Sequence, residues 1–144
     1  MQWLVSVLLL TAGCATAGYQ ISPPGSNAVG YTDCEQRGDF AHPRAWVDVE
    51  VLASPDSAFV IQHERKHMEQ VRRHETCWDW RVWYMSNAAE AEAEAFCAGA
   101  RTEPDFTEGL IKSARWLSVG YPNLRLSFGE ALVLITKYCT EAQP

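Results

Sequence analysis

The rhythm of hydrophobic and polar positions changes several times along the chain. Trp3 to Leu10, WLVSVLLL, is an uncharged apolar run, followed by small residues and Cys14. From Ala15 to about Asp33 the sequence is rich in Gly, Pro, Ser and Asn and has no apolar period, which reads as a tether or loosely packed arm. Val47, Val49 and Val51 then alternate with Asp48 and Glu50, the pattern of a half-buried strand within residues 45–52. Ser54-Pro55-Asp56 is a helix-start signal, and the helix it opens is expected to run from about Asp56 to His74. An aromatic connector follows, Trp78 to Tyr84. Alternating Ala and Glu predict a second helix over Asn87 to Ala100. Asp105 and Glu108 open a third, with Leu110, Ile111, Ala114 and Leu117 on one face and Gly120 past its end. Ser127 and Glu130 fit a capping box for a fourth, Leu132 to Cys139. The expected fold is α+β and mainly helical: an edge strand or hairpin followed by about four helices, with the folded unit beginning near Cys34 and no internal repeat.

Length and charge narrow the class. A chain of 144 residues suits one domain, and 47% hydrophobic residues argue against wholesale disorder. The net charge of −6 leaves no basic excess for neutralising phosphates, so no nucleic-acid partner is expected. Eight residues of apolar helix rise only about 12 Å, too short to span a bilayer, so the start of the chain reads as the core of a secretory signal peptide. Leu10-Thr11-Ala12-Gly13-Cys14 resembles a bacterial lipobox. That resemblance implies a signal peptide over residues 1–13, lipidation of Cys14, a membrane anchor, and a tether over residues 14–33 that lets a domain of residues 34–144 stand off the cell envelope. Cleavage after Ala15-Thr16-Ala17 is the alternative and would give a soluble periplasmic or secreted protein. Under either processing Cys34, Cys77, Cys97 and Cys139 remain, an even set without a Cys-x-x-Cys pair. Two disulfides in an oxidising compartment are expected, with three connectivities open.

His63-Glu64-Arg65-Lys66-His67 is the most specific signal. Two His at i and i+4 share a helical face and can converge on one metal ion. The Glu between them can reach a metal-bound water as general base. With only four His in the chain, chance would produce HExxH roughly 0.01 times. The motif also falls on the stripe Val60, His63, Glu64, His67, Met68, Val71, the face expected to look inward. Three polar groups on a buried stripe need something to satisfy them, and a metal ion with a water would do so. Imidazole and carboxylate donors make Zn2+ the natural ion. Gln70 stands where the HExxHxxGxxH pattern has Gly, and His74 lies seven positions after His67 rather than six, so a third His ligand is not expected.

Glu90-Ala91-Glu92-Ala93-Glu94-Ala95-Phe96 offers a carboxylate instead. Here the chain resembles Glu-type zincin metallopeptidases (gluzincin-like), whose second helix carries E-x-x-A-[D/N], over about forty residues from His63 to Ala100. Aligning on Ala93 and Phe96, the resemblance implies that Glu90 is the third zinc ligand and that Glu94, in place of the usual Asp, orients a zinc-binding imidazole. Glu92 is the competing ligand, and its choice would leave Phe96 at the orienting position. The resemblance further implies a small zincin-like domain that hydrolyses peptide bonds in a peptide or protein substrate. Zinc on His63, His67 and Glu90 would activate water, Glu64 would move the proton, and a second oxyanion donor would come from Tyr84, Tyr121, Tyr138 or His74. Asp79 is a further candidate to orient a ligand. Trp78, Trp80 and Trp83 read as packing residues before substrate contacts. The alternative function is a zinc-stabilised envelope lipoprotein that binds or scaffolds a partner without turnover.

Overall fold

The computed structural model describes residues 20–21 and 29–141. The signal peptide, Cys14 and most of the proposed tether lie outside the described residues. Within them the order is β1 (Gln20–Ile21), β2 (Gly30–Arg37), β3 (Phe40–Val47), α1 (Val49–Leu52), α2 (Ser57–Arg72), α3 (Cys77–Ser86), α4 (Ala88–Ala100), α5 (Phe106–Gly120) and α6 (Phe128–Glu141). The domain is mainly helical α+β, as expected. Its sheet has the order β1-β3-β2, with β2 and β3 forming an antiparallel hairpin and β1 running parallel to the end of β3. Gly38 turns the hairpin with φ +60°, a conformation glycine adopts without steric cost.

Three expectations change. The fold begins before Cys34, because Gly30 to Asp33 already pair with Val47 to Arg44. The alternation from Val47 to Val51 is not one strand. The sheet ends at Val47, where Asp48 accepts the Glu50 backbone N–H at 2.7 Å and starts the single turn α1, leaving Val49 exposed. The aromatic connector is a helix. Thr76 caps α3 by accepting the Asp79 N–H at 3.1 Å, and this start outweighs the weak helix preference of Trp, Val and Tyr. The signal at Ser54-Pro55-Asp56 holds only in position, since α2 starts at Ser57 with Asp56 at its cap and no side-chain capping bond. The two later start signals hold. Asp105 accepts from the N–H groups of Thr107 and Glu108, and Ser127 and Glu130 form the reciprocal capping box.

The main core lies among β3, α2, α4, α5 and α6, with Phe59, Phe96, Leu117, Ile135 and Val47 at its centre. Helices approach closely at two glycines. A Cβ on Gly99 would meet the Phe59 ring at 2.9 Å, and one on Gly109 would meet the Ala100 carbonyl oxygen at 2.5 Å. A smaller core of Cys34, Val71, Cys77 and Trp80 sits under α3. Of the three connector tryptophans, Trp80 is buried, Trp83 packs partly and Trp78 is 71% exposed, so the packing role holds for two of them.

The four cysteines pair as Cys34–Cys77, joining β2 to α3, and Cys97–Cys139, joining α4 to α6. Two disulfides point to an oxidising, exported environment. No helix among the described residues is long and apolar enough to cross a membrane. Closing a loop of 42 residues restricts the unfolded chain by about 4 kcal/mol. Replacing Cys97 and Cys139 together by Ser should therefore lower the unfolding free energy by about 2–5 kcal/mol in urea titrations. A loss under about 1 kcal/mol would show that the bridge adds little to the helical core.

Candidate metal centre

Helix α2 delivers its polar stripe inward as the periodicity requires: Val60, His63, Glu64, His67, Met68 and Val71 are all buried. Helix α4 packs against this face and contributes Glu92, which is 2% exposed. The Nε2 atoms of His63 and His67 lie 3.1 Å apart, and each stands 3.4 Å from Glu92 Oε2. For ligand bonds of about 2.0–2.2 Å, the edges of a tetrahedral zinc site measure about 3.3–3.5 Å. The two edges to Glu92 match these dimensions, and the edge between the imidazoles is slightly shorter. Glu92 Oε2 has no hydrogen-bond donor among the described residues. A buried carboxylate oxygen in that state calls for a cation, and the group could hold a metal ion.

This replaces Glu90 by Glu92 as the third candidate ligand. Glu90 is exposed on α4. Two positions apart on a helix means about 200° of rotation, so only one of the two can face α2. The argument that favoured Glu90 required residue i+4 to orient a histidine by hydrogen bonding. Phe96 instead packs edge-on against the His63 ring, with centroids 4.4 Å apart. The orienting group comes from α2 itself: Gln70, fully buried, accepts from His67 Nδ1 at 2.8 Å. That bond places the proton on Nδ1 and leaves the Nε2 lone pair for an ion. Gln70 in turn donates to the Ala91 carbonyl at 3.0 Å and to Glu94 at 2.8 Å, and Arg73 pairs with the same carboxylate at 2.6 Å. Glu94 thus acts on His67 through Gln70 rather than directly. The i, i+3 spacing of His67 and Gln70 was the available sequence signal, read only as a missing glycine.

Glu64 stands beside the cluster. Thr32 on β2 donates to its Oε2 at 2.8 Å, and a Cβ on Gly30 would come within 2.8 Å of its Oε1. Both residues fall in the segment assigned to the tether, where neither could be recognised as part of a site. Glu64 lies where two cavities meet. One, of about 250 Å³, is a chamber lined by Thr32, Glu64, His67, Trp80, Tyr84, Glu92 and Tyr121. The other is a cleft of about 700 Å³ with mainly apolar walls from Val29, Phe59, Val60, Phe96, Trp116 and Val119, bordered by His63 and Glu64.

Tyr84 donates to Glu92 Oε1, and Tyr121 lines the chamber opposite. Burial, reinforced by the Glu92 charge, raises the pKa of both phenols, so they stay protonated donors. Tyr138 and His74 line neither cavity: Tyr138 packs on the main core and the His74 ring lies against Trp83. Asp79 is spent on the α3 cap, away from the cluster. No protein-family model, curated protein or solved structure matches the chain.

Charge balance in the cluster sets its pH behaviour. Burial disfavours imidazolium at His67, but the Glu92 carboxylate outweighs that and raises the pKa to about 9. Burial likewise opposes the Glu92 charge, and His67 and His63 overcome it, holding the carboxyl well below its usual range. Near neutral pH a metal ion must therefore displace a proton from His67. Titration with Zn2+ should release about one proton near pH 7, and apparent affinity should rise about tenfold per pH unit before levelling as the pH passes about 9. Affinity independent of pH between roughly 6 and 8 would contradict this charge assignment. Separately, Gln70→Ala should weaken Zn2+ binding by about 10- to 100-fold in competition titrations while the fold persists. Unchanged affinity would remove Gln70 from the orienting role.

Proposed function

We propose that the chain is an exported zinc metallopeptidase, held at the bacterial cell envelope by a lipid on Cys14. The observation that carries the reading is the place of Glu64: a buried carboxylate next to the three-ligand cluster, fixed by Thr32 and facing both cavities. His63, His67 and Glu92 would hold the ion beside the chamber that Glu64 lines. Bound there, Zn2+ supplies Lewis acidity to the scissile carbonyl and lowers the pKa of a water.

The protein groups do the rest. Glu64 takes a proton from the water as its oxygen bonds to the carbonyl carbon, then passes a proton to the nitrogen as the C–N bond breaks. One water is consumed, and a carboxylate and an amine are released. Thr32 keeps the carboxylate aimed, since its hydroxyl occupies the Oε2 that would otherwise turn away. Substrate has a natural track along β2. Its outer edge is unpaired among the described residues, and Gly30 to Thr32 line the chamber, so an extended peptide can add as a further strand there. The apolar cleft beside Glu64 suits a bulky hydrophobic side chain flanking the scissile bond.

The test begins with metal content: the purified protein should bind one Zn2+ per chain and cleave an unfolded protein substrate. Glu64→Gln should keep the zinc and lose at least about 100-fold in kcat. A wild type that takes up no zinc would defeat the reading outright. Full zinc occupancy without cleavage of any peptide library would favour the non-catalytic scaffold.

A further inference from the structure

Trp80 carries an unused hydrogen-bond donor at the candidate centre. The residue is 7% exposed, and its indole Nε1 has no partner among the described residues. Indole nitrogen is a donor only, so no change of tautomer can satisfy it, and a buried donor without an acceptor is costly. Trp80 lines the smaller chamber together with Glu64, His67, Tyr84 and Glu92. Tyr121 also lines the chamber, and three of its other side-chain donors are committed. Thr32 donates to Glu64, His67 Nδ1 donates to Gln70, and Tyr84 donates to Glu92. Packing in the small core with Cys34, Val71 and Cys77 explains a large aromatic ring at this position. It does not explain the N–H, which Phe would lack. The acceptor that matches it must come from whatever enters the chamber.

Resting on the peptidase reading, we propose that the Trp80 indole N–H donates to the substrate carbonyl oxygen and strengthens that bond as the oxygen gains negative charge. Trp80 then supplies the second donor that the four sequence candidates were expected to provide. Among those, Tyr84 spends its proton on Glu92 and Tyr121 faces the field of the same carboxylate, where a developing anion is poorly placed.

A phosphoramidate dipeptide, whose tetrahedral phosphoryl oxygens copy the developing oxyanion, is the probe. Added to zinc-loaded, 15N-labelled wild type, it should move the Trp80 indole N–H signal downfield, while that of exposed Trp78 stays in place. Trp80→Phe identifies the signal by its loss. This variant should retain one Zn2+, bind the phosphoramidate at least about tenfold more weakly, and lose about 100-fold in kcat with a much smaller change in KM. A phosphoramidate that binds wild type without moving the Trp80 signal overturns the inference and leaves the peptidase reading intact. So does a zinc-loaded Trp80→Phe with affinity and kcat within about twofold of wild type. Zinc-loaded wild type that neither binds the probe nor cleaves peptides overturns both together.

Discussion

The arrangement depends on one interaction: a buried carboxylate on α4 facing two buried imidazoles on α2. Glu92 is 2% exposed, and its Oε2 meets both Nε2 atoms at 3.4 Å. Negative charge at that depth is tolerable only with positive charge against it, whether a proton on His67 or a metal ion. The requirement fixes the rotation of both helices. Turning α4 by two residues would bring Glu90 toward α2 and carry Glu92 away. Ala91 and Ala95, four positions apart and on one side of the helix, are both buried, so packing and charge pairing hold the same rotation.

Around that pair the structure builds a short series of hydrogen bonds rather than isolated contacts. Arg73 pairs with Glu94, Glu94 accepts from Gln70, and Gln70 accepts from His67. The series runs from the solvent-facing guanidinium to Nδ1 of His67, across the ring from its candidate ligand atom Nε2, and each bond removes a rotational freedom from the next group. On the other side, the start of strand β2 meets Glu64 through Gly30 and Thr32. The candidate ligands and the candidate base are thus set by different elements, α4 for the former and the sheet for the latter.

Much of this was legible in the residue pattern. The histidines and Glu64 follow from HExxH on an inward stripe, α5 and α6 follow from their capping signals, and α2 and α4 from periodicity and helix propensity. The ligand on α4 was not, because a run of Glu at every second position places a carboxylate on each side of the helix. Only the partner helix decides between them. Family likeness pointed to Glu90 on the assumption that α4 orients the histidine. Gln70 does so from within α2, which frees the position of Phe96 for packing and makes Glu92 workable. Helix α3 and the start of β2 were hidden for another reason. Their residues have weak or contrary local preferences, and their structure comes from long-range contacts, including the Cys34–Cys77 bridge and the pairing of β2 with β3.

A small domain with a polar centre meets a physical difficulty. His63, Glu64, His67, Gln70, Glu92 and Ser113 are all buried, displacing apolar side chains that would otherwise extend the core. The two disulfides sit where that loss is felt. Cys34–Cys77 joins β2 to α3, both of which line the chamber, and so holds Thr32 and Trp80 beside it. Cys97–Cys139 ties the same helix that presents Glu92 to α6, behind the site. Covalent restraint of the unfolded chain thereby offsets the burial forgone at the centre. The cysteines that point to an oxidising compartment and the polar residues that form the site are two sides of one constraint. The centre can remain polar and open because the elements around it are stapled rather than packed shut.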